Sequence, residues 1–300
     1  MNSIIPNLFI IGAPKAGTTA LANNLAQHKK IYISELKEPR YFDAHTFYDN
    51  KSDYLIKNIE EYLELFNNLE AKKSKYRLDA SVFNMYSEMS IKNILQLSPD
   101  AKFIIILREP VSASVSMHSQ RLAYSDPKMR ELSEDFKECW KMLKGRKQGL
   151  YYPKACQNKI LFRYDLLYSY ELYIPQIQNL IESKNLFIGF YEDFKNSPDK
   201  FYYDIFNFLN IEHIKLQNRK HNKSLILKKS IFLEVLEIIS LKSFKIREKI
   251  GLTGGLLYQF KQWFINRKKI APKVLDNSDL NEVEEFFEKT NTYLRELKEN

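Results

Sequence analysis

Residues 8–12 form a short apolar run, Leu8-Phe9-Ile10-Ile11, closed by Gly12, and residues 20–27 follow with helix formers and apolar positions at Leu21 and Leu25. The pair predicts a strand, a loop and a helix. Residues 54–69 place Leu55, Ile59, Tyr62, Leu63, Phe66 and Leu69 at helical spacing. A short strand over 76–80 and a second helix over 84–97 come next. Residues 102–107 are the clearest buried strand, an apolar β-branched run after Lys102, and Pro110 stands where the following helix would begin. A long helix over 164–182 leads to a further strand over 185–191, and the chain from about residue 228 reads as helix.

Strands separated by helical stretches predict right-handed crossovers, hence an α/β fold with a central parallel β-sheet flanked by helices. No repeat, Ser/Gly linker or low-complexity tract divides the chain. The expectation is a single domain over 1–300, with an α/β core at 1–227 and a helical C-terminal extension at 228–300.

Composition narrows the class. Eight Gly and ten Pro in 300 residues exclude collagen-like or Pro/Gly low-complexity sequence, and 20 Phe with 19 Tyr argue against disorder. The first apolar run is too short for a signal h-region or a membrane span, so a cytoplasmic protein is expected. Cys139 and Cys156 are too few for a disulfide scaffold and have no zinc-ligand spacing. His28, His45, His118, His213 and His221 show no ligand spacing either, so no metal site is expected.

The chemistry begins in the loop after the first strand. Gly12-Ala13-Pro14-Lys15-Ala16-Gly17-Thr18-Thr19 sets two glycines five apart, followed by two hydroxyl residues, between a strand and a helix. Such a P-loop-like turn points backbone N–H groups and a helix N-terminus at an anion. A nucleoside-triphosphate loop needs Lys directly after the second Gly and Ser/Thr next for Mg²⁺. Here Thr18 takes the Lys position and the only lysine, Lys15, lies inside the loop. That swap suggests a phosphate-bearing ligand without a triphosphate and without a metal.

A second anion element follows the strong strand. Arg108-Glu109-Pro110 puts a guanidinium at the carboxyl end of a strand, the edge where doubly wound folds bind ligands. Arg108 can fork two N–H bonds to a phosphate, and Ser116, two turns into the helix, can add a third. A salt bridge from Arg108 to Glu109 is the plain structural alternative. Upstream, Pro39 keeps Glu38 out of a helix, and a carboxylate held near a donor can take a proton from an acceptor hydroxyl.

These motifs together resemble the sulfotransferases that use 3′-phosphoadenosine 5′-phosphosulfate (PAPS), especially those acting on carbohydrates. The match is residue for residue at Pro14, Lys15, Gly17, Thr18 and Thr19, with Ala16 at the variable loop position; this is the family's 5′-phosphosulfate loop. Arg108, Pro110 and Ser116 match its 3′-phosphate element. The family's Glu-x-x-(Phe/Tyr)-Phe, whose Glu is the catalytic base, maps onto Glu38, Tyr41 and Phe42, with Glu35 as the rival carboxylate. The resemblance implies PAPS as co-substrate, Lys15 stabilising charge on the departing phosphate, and Arg40 and Asp43 orienting base or substrate.

The resemblance thins elsewhere. Val82 stands where related proteins have Pro, and Ala80 replaces a lysine that heparan-type enzymes carry. Tyr191-Glu192-Asp193-Phe194 reads as structural, the end of a strand leading into a packed helix. Arg219 to Ser224 is a basic loop where many members cover the adenosine 3′-phosphate. An acceptor-binding insertion is expected over about 117–168, where Tyr151, Tyr152, Tyr164 and Tyr168, with Tyr170 and Tyr173 beyond it, either stack on sugar faces or pack in the core. The implied acceptor is a glycan or glycolipid hydroxyl, and nucleic acid is not an expected partner. The oligomeric state is left open.

Charge is regional. The chain carries 46 Lys and Arg against 37 Asp and Glu, a net +9, but residues 213–273 hold 15 basic residues and 3 Glu, a net +12. The rest, with 31 basic and 34 acidic residues, is at −3, and it contains Lys15 and Arg108. The basic run, beside Trp263 and Phe264, predicts peripheral contact with an anionic membrane, at the inner face if the protein is cytoplasmic. Two rival functions stand beside sulfuryl transfer: a P-loop kinase or NTPase, and a non-enzymatic polyanion binder using the +12 segment.

Overall fold

A computed structural model describes residues 4–217, 226–227, 269–270 and 277–299. The first apolar run is β1 (Leu8–Gly12), buried at every position, and α1 (Thr18–Leu25) follows it. The chain continues through β2 (Ile31–Ile33), α2 (Ala44–Phe47), α3 (Ile59–Glu64), α4 (Leu69–Lys73), β3 (Tyr76–Asp79), α5 (Glu88–Leu97) and β4 (Lys102–Leu107). Beyond β4 come α6 (Pro110–Leu122), α7 (Phe136–Arg146), α8 (Tyr164–Leu167), α9 (Ile174–Leu180), β5 (Leu186–Phe190), α10 (Tyr191–Asn196) and α11 (Pro198–Leu209).

These five strands pair in parallel in one sheet, in the order β2-β3-β1-β4-β5, as the alternation of strands and helices predicts. The connection leaving β1 runs toward β2 and the one leaving β4 runs toward β5. The crevice at the carboxyl ends of β1 and β4 is therefore the topological switch point, where such sheets bind ligands. β4 is the spine: Phe103 to Leu107 are fully buried, and Phe103 stacks on Phe9 of β1 with ring centroids 5.6 Å apart. Cutting an isoleucine there to alanine would cost about 2–5 kcal/mol.

Three expected helices are divided. The run over 54–69 holds only α3 and the first residue of α4, because the Asn58 and Asn68 side chains accept from the N–H groups of Glu61 and Ala71 at 2.8 and 2.9 Å and start each helix afresh. The stretch over 84–97 opens as a single 3-10 turn, and Ser87 then caps α5. The long helix over 164–182 is broken into α8, a 3-10 turn at Tyr170–Leu172, and α9, whose first turn holds Pro175. Beyond residue 228 the described helices are Asn277–Phe286 and Glu288–Glu299, and Phe287 packs on Trp140 of α7 at 5.6 Å, but Lys269–Ile270 is a strand paired antiparallel with Ile226–Leu227, against the helix expected throughout. The rest of the expected extension, including Trp263 and Phe264, lies outside the described residues. So do the basic loop 219–224 and most of the basic run 213–273.

The segment between α6 and β5 is held by a buried ion pair. Arg146 Nη2 meets Glu131 Oε1 at 2.5 Å, Arg146 Nη1 donates to the Phe162 carbonyl at 2.9 Å, and Tyr164 donates its hydroxyl to Glu131. Removing one partner of such a pair strands a buried charge, at about 3–5 kcal/mol. Tyr164, Tyr168 and Tyr170 are fully buried and belong to the core, whereas Tyr151 is exposed. Among the described residues no helix is long and apolar enough to cross a membrane.

Candidate active site

The loop after β1 is shaped by its backbone. Ala13 donates its N–H to the Ile106 carbonyl of β4 at 2.8 Å, and Lys15 and Gly17 both take positive φ, 66° and 83°. Gly17 is the N-cap of α1 and brings no side chain to cap it, so the helix begins at Thr18, two residues earlier than the apolar pattern predicts. A Cβ on Gly17 would sit 3.1 Å from a Phe194 ring carbon and 3.2 Å from a Tyr191 ring carbon. Close packing and left-handed backbone both call for glycine there. The first-turn amides of α1 are left for a ligand.

The opposite wall comes from the segment between β2 and α2. Ala80 donates its N–H to the Lys37 carbonyl at 3.2 Å, and Arg40, at a positive φ of 55°, donates its N–H to Ser81 Oγ at 3.0 Å. These bonds strap the segment to the end of β3. Glu38 is gripped by two cations: Lys37 Nζ meets Oε1 at 2.5 Å, and Arg40 Nη2 meets Oε2. Arg40 in turn lies over the Phe47 ring, 3.6 Å from its centroid, and reaches Asp43 Oδ2 at 3.5 Å. Asp43 is fully buried, and burial pushes its carboxyl up to about 7. Glu35 is exposed and lies outside this wall.

A cleft of 1080 Å³ runs between the two walls. Pro14, Lys15, Gly17, Thr18 and Thr19 line it from the loop, Glu38 and Arg40 from the strap, and Ser116, Gln120 and Arg121 from α6. It therefore gathers the loop residues, Glu38 and Ser116, which are distant in sequence. Its size suits a nucleotide with room beside it. Burial pushes the Lys15 ammonium down to about 8, with Arg121 and Arg108 adding repulsion and Glu38 opposing the shift.

Arg108 takes a different place. It is not among the residues lining this cleft; it lines an adjoining cavity of 610 Å³ with Glu109 and Glu192. Its Nη1 donates to the Lys15 carbonyl at 2.9 Å, its guanidinium packs on the Tyr191 ring at 4.5 Å, and its Nε is buried without a partner. The alternative partner, Glu109, is otherwise engaged: its carboxylate caps α6, accepting from Val111 and Ser112 at 2.8 and 2.7 Å. Tyr191-Glu192-Asp193-Phe194 forms α10, as a packed helix following a strand, yet Tyr191 and Phe194 also reach the cleft wall.

Arg121 was not singled out in the sequence. It is 2% exposed and lines the cleft, although it lies thirteen residues beyond Arg108 and past the last motif position of its helix, Ser116. The signal that finds it is helical period: extending the Ser116 face by one turn brings in Gln120 and its neighbour Arg121. Among the described residues no group of three or more His, Cys, Asp or Glu converges as a metal site.

A family model described as the sulfotransferase domain matches residues 6–249. The chain is 32% identical over 123 residues to mouse bifunctional heparan sulfate N-deacetylase/N-sulfotransferase 4, a match covering 41% of this chain and 14% of that protein. It is 31% identical over 114 residues to the membrane-associated sulfotransferase kil1 of Dictyostelium discoideum, covering 38% of this chain and 22% of that one. The aligned region thus spans less than a quarter of either relative. A solved sulfotransferase from Alicyclobacillus acidocaldarius superposes with a TM-score of 0.60 at 22% identity, covering 84% of this chain and 98% of that one. At that identity the likeness establishes the shared fold.

Proposed function

Because the chain belongs to the sulfotransferase domain family, we propose that it transfers a sulfuryl group from PAPS to an acceptor hydroxyl in the 1080 Å³ cleft. The observation that carries this reading is the loop itself. It presents free first-turn amides of α1 beside a lysine set inside the loop, across the cleft from a carboxylate held by two cations.

In this reading the amides of the Gly17–Thr19 turn and the Thr18 hydroxyl hold the donor's 5′-phosphate, and Lys15 lies beside the bridging oxygen. Glu38 takes the acceptor proton as the acceptor oxygen bonds to sulfur. The bond from sulfur to the bridging oxygen breaks, and its electron pair leaves with the phosphate toward Lys15. Ser116 and Arg108 serve the donor's 3′-phosphate side, Arg108 partly by fixing the Lys15 carbonyl. Alignment and preorganised charge supply the acceleration, with no covalent protein intermediate.

The acceptor is proposed to be a glycan or glycolipid, a reading supported by the heparan sulfate named in one relative. The protein is proposed to act in the cytoplasm, its basic segment 213–273 meeting an anionic membrane face. Liposome sedimentation with no preference for anionic lipid would discard that contact.

Calorimetric titration with 3′-phosphoadenosine 5′-phosphate (PAP), set against ATP with Mg²⁺, tests the class. Saturable binding of PAP and none of ATP is the expected result. The reverse would favour a kinase or NTPase, and steeply salt-dependent polyanion binding that survives loss of Lys15 would favour a binder. Transfer of labelled sulfate to glycans bearing free hydroxyls or free amines then identifies the acceptor group.

A further inference from the structure

One face of α6 is turned to the cleft: Ser116 and Gln120 stand four apart with Arg121 beside them, and Tyr124, just past the end of the helix, also lines it. The Nε and Nη1 atoms of Arg121 are buried and neither has a hydrogen-bond partner. Its guanidinium lies over the Tyr124 ring, 4.3 Å from the centroid. Leaving a desolvated guanidinium unpaired is costly, and a ligand that brings its own acceptors removes the cost.

The surroundings limit which ligand atoms those are. Lys15, Glu38 and Arg121 all line the same cleft, and the Lys15 ammonium is pushed down by Arg121 and up by Glu38. The turn at Gly17–Thr19 takes the phosphate side of the donor, and Glu38 the acceptor side. A group held between them, against Lys15, lies in the cleft that Arg121 also lines.

We propose that Arg121 is a catalytic residue that binds the non-bridging oxygens of the sulfuryl group in transfer, sharing that group with Lys15. The proposal rests on the sulfuryl-transfer reading above. Sulfur exchanges its bond to the phosphate oxygen for one to the acceptor oxygen, while its three other oxygens stay bonded to it and share one negative charge in both donor and product. A rigid guanidinium fork matches two such oxygens better than a point charge does.

PAPS and PAP differ by the sulfuryl group, so their affinities isolate this contact without an acceptor. Equilibrium binding of both nucleotides would be compared in the wild type, Arg121→Gln and Arg121→Lys, with circular dichroism as the folding control. In Arg121→Gln, PAPS affinity is expected to fall about tenfold or more while PAP affinity stays within about twofold. Arg121→Lys, which keeps the charge and loses the fork, gives an intermediate loss for PAPS and serves alone should the glutamine variant not fold. Equal weakening of both nucleotides would make Arg121 a phosphate ligand, and no change in either would make it part of the cleft wall; each overturns the proposal. A wild-type chain that binds neither nucleotide removes the sulfuryl-transfer reading itself.

Discussion

Arg108 donates from Nη1 to the carbonyl oxygen of Lys15 at 2.9 Å, tying the end of β4 to the loop that follows β1. The two anion elements that stand about ninety residues apart in sequence are thus one mechanical unit. Arg108 holds the peptide that sets where the Lys15 ammonium goes.

Arg108→Ala is expected to lower thermal stability and PAP affinity together. The substitution strands the Lys15 carbonyl, at about 1–3 kcal/mol, and releases the loop. Arg108→Lys should recover little, since an ammonium cannot both reach that carbonyl and keep the planar contact with Tyr191. Scanning calorimetry and PAP titration on the same samples test the coupling; normal PAP affinity in Arg108→Ala would dissolve it.

Lys15 should make donor binding proton-linked. Its ordinary value of 10.5 is lowered to about 8, so near pH 8 half of the free protein lacks the charge. A bound phosphosulfate favours the ammonium, so binding at pH 8 takes up protons, and the uptake vanishes toward about pH 6. Titrations in buffers of different ionisation enthalpy measure it, and Lys15→Ala should abolish it. Stability carries the matching sign: between pH 8 and 10.5 the unfolded chain binds more protons at this group, so the unliganded fold gains stability as pH rises. Proton uptake that persists in Lys15→Ala would move the effect to another group.

Glu38→Gln is expected to cut turnover by about 10²-fold or more on any acceptor the wild type sulfates, with PAP affinity little changed. Glu35→Gln should be near normal, because Glu35 is exposed and outside the cleft wall. The variant has a second signature. Glu38 raises the Lys15 value, so its loss should shift the onset of proton uptake to lower pH. Near-normal turnover in Glu38→Gln would remove it as the base.

What the sequence made legible was contiguous. The loop from Gly12 to Thr19 and the Arg108-Glu109-Pro110 turn carry their geometry in local residue order, so strand and anion element could be read together, and at Pro110 the helix start as well. The sheet followed from the alternation of strands and helices. Arg121, and the burial of Asp43, were harder for one reason: an arginine on a helix and an aspartate after Phe42 look solvated until the fold desolvates them. The split helices were hidden because apolar spacing at Leu55, Ile59 and Leu63 outweighed the capping signals of Asn58 and Asn68. Arg108 shows the converse case, a residue expected from its sequence context to fork onto a phosphate, whose Nη1 in the fold donates to the Lys15 carbonyl.

Asp43 predicts how stability depends on pH. Burial raises its carboxyl from 3.8 to about 7, opposed by Arg40 and reinforced by Asp79 and Glu38. Between those values the native state holds a proton that the unfolded chain has released, so stability falls as pH rises across the window. Asp43→Asn replaces the acid with an uncharged group of the same shape that can still accept from the Phe83 N–H, now at 3.2 Å. Arg40 keeps Glu38 as its partner. Urea midpoints at intervals from pH 4 to pH 8 should therefore trace a shallower decline in the variant, which becomes at least as stable as the wild type at pH 8. Some slope should remain, because burial also raises Asp79. A variant that reproduces the full wild-type decline would assign that titration to Asp79 or another group and leave Asp43 ionised within the fold.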